Sequence, residues 1–201
     1  MRGAIWTSCF LGAVSIALQA ISFLDFQPKR ILLGKGELLE QNSYLVAFYV
    51  HIIFGSVALV VGPIQFLPWI RERWLSWHRG CGALYVLSCL LSGVSGFYIA
   101  FYAEEGPATA FGFGTLASLW LSCTVLASQS VRTKQFAAHR AWMLRSYALT
   151  FAAVTLRTWL PLLTAGWEMS FEAAYPIVSW LAWVPNLLAM EGYIRVSRSR
   201  Q

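Results

Sequence analysis

YLVAFYVHIIFGSVALVVGPIQFL, residues 44–67, is the stretch that decides the fold. It contains no Asp, Glu, Lys or Arg. At about 1.5 Å per residue, a helix of this length crosses the roughly 30 Å hydrocarbon core of a bilayer. Five further stretches have the same character: Ile5–Phe23, Gly82–Tyr102, Ala108–Ala127, Phe136–Leu163 and Ala173–Met190. Hydrophobic residues make up 58% of the chain and charged residues 12%. A soluble domain carries about twice that charged share, so lipid is the solvent this sequence is written for. The 201 residues are read as a single transmembrane domain, an all-α polytopic membrane helix bundle of about six spans. In that reading the second to fifth spans, residues 44–165, form a four-helix core flanked by the first and sixth.

The first run follows Met1 and Arg2. It is longer than the roughly 7–15-residue core of a signal peptide and no small-x-small site ends it, which predicts a retained helix. The four cysteines, Cys9, Cys81, Cys89 and Cys123, lie in or beside apolar runs with no CxxC pair, as expected of thiols that pack as small hydrophobes.

The net charge is +6, and its placement matters more than its size. Arg71, Arg73 and Arg79 follow the second span; Arg132, Lys134 and Arg140 lie between the fourth and fifth; Arg195, Arg198 and Arg200 end the chain. The loops after the third and fifth spans carry only Glu104 and Glu105, and Glu168 and Glu172. By the positive-inside rule both termini are cytoplasmic, which suits a bacterial inner membrane. The loop after the first span dissents, with Lys29, Arg30 and Lys35. Basic residues confined to short loops give no nucleic-acid surface.

Trp69, Trp74, Trp77, Trp142 and Trp167 fall near expected helix ends, where indoles favour the lipid interface. Pro63, Pro68, Pro176 and Pro185 predict kinks or breaks. Ser88, Ser92 and Gly96, four apart, predict a small-residue strip for close helix packing.

Ionisable residues inside a span cost several kcal/mol and usually face a bundle interior. They are His51, His139, Arg145, Arg157 and Glu191, with His78 at the boundary. His78-Arg79 opens the third span and His139-Arg140 the fifth, followed at nearly equal offsets by Tyr85 and Leu87, and by Tyr147 and Leu149. This echo divides the second to fifth spans into two like-oriented hairpins. Spans three and five lie diagonally in a four-helix core, so His78 and His139 suit the axial ligands of one b-type haem. Interfacial anchors holding lipid phosphates fit the same spacing. His51 lies about 10 Å below the outer end of its span, and the fourth span offers it no histidine partner.

Arg157 follows His139 by eighteen residues, five turns, so both lie on one helix face. Arg145 points about 120° away from Arg157. Snorkelling to an interface explains Arg145. Arg157 asks for an anionic or polar partner, such as a haem propionate, a quinone carbonyl or a substrate carboxylate. Glu191 and Asn186 are candidate partners for Arg145, Glu191 through an ion pair or as a proton carrier. No GxSxG, HExxH, P-loop or dinucleotide motif occurs.

HRGCGALYVLSCLLSGVSGFYIA (residues 78–100) and HRAWMLRSYALTFAAVTLR (residues 139–157) resemble the bacterial predicted membrane proteins grouped as domain of unknown function number 2306, over roughly residues 45–165. That family implies no activity. More loosely, histidines on the second, third and fifth spans are similar to those of the cytochrome b561 group of transmembrane haem proteins. That resemblance implies His78 and His139 as one haem pair, with His51 half of another.

Three functions follow as expectations. One is haem binding at the cytoplasmic side with electron transfer, perhaps within a membrane oxidoreductase, where His78 and His139 ligate iron and His51, Arg145 and Arg157 contact haem or a quinone. The second is non-redox binding or transport of an anionic or lipid-like small molecule. The third is a lipid- or isoprenoid-modifying enzyme with Glu191 or His51 as acid/base.

Overall fold

A computed structural model describes residues 2–21 and 41–199. All regular structure among them is helical: α1 (Arg2–Ile21), α2 (Asn42–Gln65), α3 (Pro68–Arg73), α4 (Leu75–Ala100), α5 (Pro107–Arg132), α6 (Phe136–Thr150), α7 (Ala152–Pro161), α8 (Phe171–Leu181) and α9 (Val184–Arg198). Lipid offers the backbone no hydrogen bonds, and helices satisfy every N–H and C=O internally. Hydroxyl side chains obey the same demand by donating back to the carbonyl one turn earlier, as Ser56 does to Ile52, Thr124 to Trp120 and Thr150 to Ser146.

Among the described residues, five helical spans are long and apolar enough to cross a membrane: Asn42–Gln65, Leu75–Ala100, Pro107–Arg132, Phe136–Gly166 and Phe171–Arg198. The expected sixth lies on α1, whose apolar part, Phe10–Ala20, is shorter than a span. The loop with Lys29, Arg30 and Lys35 and the side chain of Cys9 lie outside the described residues. Three helices outrun the expected spans: α4 begins at Leu75 rather than Gly82, α5 ends at Arg132 rather than Ala127, and α9 ends at Arg198 rather than Met190. Charged residues mark where hydrocarbon stops, but a helix continues through the headgroup layer.

The chain forms two compact units that divide between Ile99 and Ala100, between the two hairpins that the His-Arg echo marks. In the first unit, Gly55 of α2 meets Ser92 of α4, where an added Cβ would lie 3.0 Å from the hydroxyl oxygen. Pro63 sits two residues before the end of α2 and Pro68 starts α3, so the prolines bracket the break rather than kink a continuous helix.

In the second unit α5 and α6 pack along a seam of small residues, tied by buried Thr124 and Ser146 hydroxyls 2.9 Å apart. Lys134, at φ 59°, makes the tight turn between them. The α5–α8 contact depends on Gly112, where any Cβ would collide with Ser179, and on the Trp180 indole, which donates to the Ala108 carbonyl at 3.3 Å. The fifth span breaks at Phe151 and, after Pro161, widens into a π-helical turn, Leu162–Gly166. Leu163 of that turn packs with Ala174 and Val178 of α8. The sixth span breaks between α8 and α9, with Pro185 in the first turn of α9.

Candidate functional site

Histidine geometry comes first, because all three histidines of the chain are described. His51 reaches from α2 to α4, its Nδ1 lying 2.8 Å from the Ser92 carbonyl oxygen. A carbonyl only accepts, so Nδ1 carries the proton and the lone pair of the neutral ring is on Nε2. The Ser92 hydroxyl donates to the carbonyl of His51 at 2.9 Å. One turn further along α4, a Cβ at Gly96 would lie 2.7 Å from His51 Nδ1 and 2.9 Å from Cε1. The small-residue strip on α4 is thus the seat of an imidazole as well as a packing surface.

His78 and His139 occupy the same position of their helices, the fourth residue of α4 and of α6. Their backbone N–H groups bond back alike, His78 to the Trp74 carbonyl at 3.0 Å and His139 to that of Gln135 at 2.9 Å. Both side chains are half-buried, and the arginines that follow are exposed. His139 Nδ1 lies 2.9 Å from the Ala127 carbonyl oxygen of α5, which again leaves the lone pair on Nε2. The echo ends there: Tyr85 is fully buried and Tyr147 half-buried, while Leu87 is exposed and Leu149 buried. The one-residue difference in offset turns these positions by about 100°. His51 and His78 belong to the first unit and His139 to the second.

Arg145 of α6 meets Glu191 of α9 in a two-point ion pair. Its Nε donates to Oε1, and Nη2 donates to Oε2 at 2.9 Å. The guanidinium also lies over the Trp142 ring, 4.6 Å from its centroid. Glu191 is therefore the partner expected for Arg145. Asn186 is not a second one. Its amide donates to Thr155 Oγ1 at 3.0 Å and to the Ala182 carbonyl at 2.9 Å, filling the break between α8 and α9. Arg157 is exposed on its helix and donates to the Ala153 carbonyl of its own previous turn at 2.9 Å.

The family model for predicted membrane proteins, domain of unknown function 2306, matches residues 48–194. The chain belongs to this family. As a member of the predicted membrane protein family it carries all three histidines and the Arg145–Glu191 pair inside the matched region, which runs past residue 165 to take in most of α9. No curated protein and no solved structure matches, so nothing ties this family member to the cytochrome b561 group.

Among the described residues no three or more His, Cys, Asp or Glu side chains gather as a metal site. That geometry is the one a bare metal ion needs. Haem iron takes four nitrogens from its porphyrin and at most two ligands from protein.

Sequence reasoning passed over Gln65. Its side chain is buried at the end of α2, close to Gly82, and among the described residues its amide has no hydrogen-bond partner. The signal was present as the one amide in an otherwise apolar run. Trp142 was read as an interfacial anchor, and its cation–π contact with Arg145 required the folded helix.

Proposed function

We propose that this integral membrane protein binds a b-type haem and acts in electron transfer, with His78 and His139 as the axial ligands. The observation that carries the reading is the Ala127 carbonyl 2.9 Å from His139 Nδ1. Ligand histidines characteristically give their second N–H to a carbonyl or carboxylate, which fixes the tautomer and makes the ligating nitrogen more basic. The shared helical position of His78 and His139 supports treating them as a pair. A bound b-type haem supplies a one-electron iron couple. This chain's part is to hold Nε2 of His139 deprotonated and oriented. In the orientation proposed from the loop arginines, both histidines lie toward the cytoplasm of a bacterial inner membrane, with both termini on that side.

This reading is preferred to an anionic-ligand site because Arg145 is engaged by Glu191, and Arg157 donates to its own helix. The full chain, purified in detergent after expression with haem supplied, is expected to give a b-type α band in reduced-minus-oxidised spectra. The band should disappear in His139→Ala and His78→Ala and persist in His51→Ala, with helicity by circular dichroism unchanged. A folded protein without the band, or a band indifferent to His139→Ala, overturns the proposal.

A further inference from the structure

Between α2 and α4 the chain turns through the segment PWIRERWLSWHRG, residues 68–80. Trp69, Trp74 and Trp77 are exposed yet touch in series, with ring centroids 6.2 and 6.4 Å apart. Arg71 reaches Glu72 at 3.6 Å, whereas Arg73 and Arg79 have no ion-pair partner among the described residues and are exposed. Beside Trp77 an open groove of about 330 Å³ runs along α4, lined by Ser76, Trp77, Gly80, Cys81 and Leu84. Residues 77, 80, 81 and 84 form one helix face, and the small Gly80 and Cys81 make the hollow between Trp77 and Leu84. Leu84, Leu87, Leu91 and Val94 continue as an exposed apolar surface up the helix. An apolar trough that opens at its lower end onto an indole cluster and two unneutralised arginines has the polarity of a phospholipid, tail above and phosphate below.

We propose that this corner is a binding site for one anionic phospholipid, its acyl chain over Gly80 and Cys81 and its phosphate held by Arg73 and Arg79. Charge complementarity selects the occupant. The groove accepts any acyl chain, but a zwitterionic headgroup brings a cation of its own toward the two arginines, and an anionic one does not. Each arginine near an anionic lipid surface strengthens binding about fivefold. The site does not depend on haem.

Native mass spectrometry of the full chain, released from micelles holding equal phosphatidylglycerol and phosphatidylcholine, tests this. The wild type should retain one phosphatidylglycerol in preference to phosphatidylcholine. Arg73→Gln and Arg79→Gln should each reduce that preference about fivefold while retained lipid of either kind persists. Gly80→Leu should abolish retention. A Cβ at Gly80 meets nothing within 4 Å, so the variant fills the groove without disturbing the fold. Gly114→Leu, also in open space but on α5, is the control and should change nothing. Equal retention of the two lipids by the wild type, or unchanged retention in Gly80→Leu, overturns the proposal.

Discussion

Replacing Glu191 with leucine removes the carboxylate that holds Arg145 and leaves a guanidinium inside a membrane span. Arg145 lies nine residues from the start of α6 and Glu191 seven from the end of α9. That sets the pair about 10–14 Å inside the helix ends, deeper than a headgroup layer of roughly 5–7 Å. An unpaired arginine at a span centre costs about 2.5–3.5 kcal/mol on insertion scales, and removing one partner of a buried pair costs about 3–5 kcal/mol. The Trp142 ring remains and keeps about 1 kcal/mol of stabilisation for the cation. The expected loss for Glu191→Leu is therefore about 2–4 kcal/mol. Replacing both residues, Arg145→Leu with Glu191→Leu, removes both charges and should recover most of that loss. Thermal unfolding in detergent, followed by circular dichroism, reads the difference as a Tm lowered by on the order of 5–15 °C in the single variant and by less in the double. A single variant as stable as the wild type, or a double variant no better than the single, would refute the reasoning.

Gly96→Ala drives a Cβ into the His51 imidazole, which cannot yield without giving up the Ser92 carbonyl. The net loss should be about 1–3 kcal/mol, read as a lower Tm, and in a His51→Ala background the same change should be neutral or stabilising. Gly112→Ala should destabilise by a similar amount through its collision with Ser179. Gly114→Ala, where a Cβ meets nothing, should gain up to about 1 kcal/mol from helix propensity; equal melting temperatures for the two alanine variants would count against the close α5–α8 contact.

The spans at 42–65 and 107–132 could be located from the linear order alone, because lipid imposes its demand on every residue in turn. A charge-free run is visible without knowing its neighbours. Helix ends were less legible, since α4 and α9 continue through residues that the hydrocarbon would reject but the headgroups accept. The break at Phe151 has no proline or glycine to announce it, and the π-helical turn after Pro161 is settled by how Leu163 packs on α8.

The same contrast governs the candidate site. That Arg145 needs an anion could be argued from sequence, because a charge in lipid must be matched and few acids were within reach. Glu191 followed from that short list. What the sequence by itself determined is a membrane protein with three histidines and two arginines at positions where polar groups are expensive. Only the tertiary structure decided that His51 is seated on Ser92 and Gly96, that His139 gives its Nδ1 proton to Ala127, and that Arg157 turns back to its own helix. Solvent preference belongs to each residue singly. Hydrogen-bond partners belong to pairs brought together by helix packing, and their separation along the chain, 41 residues for His51 and Ser92, carries no mark of the contact.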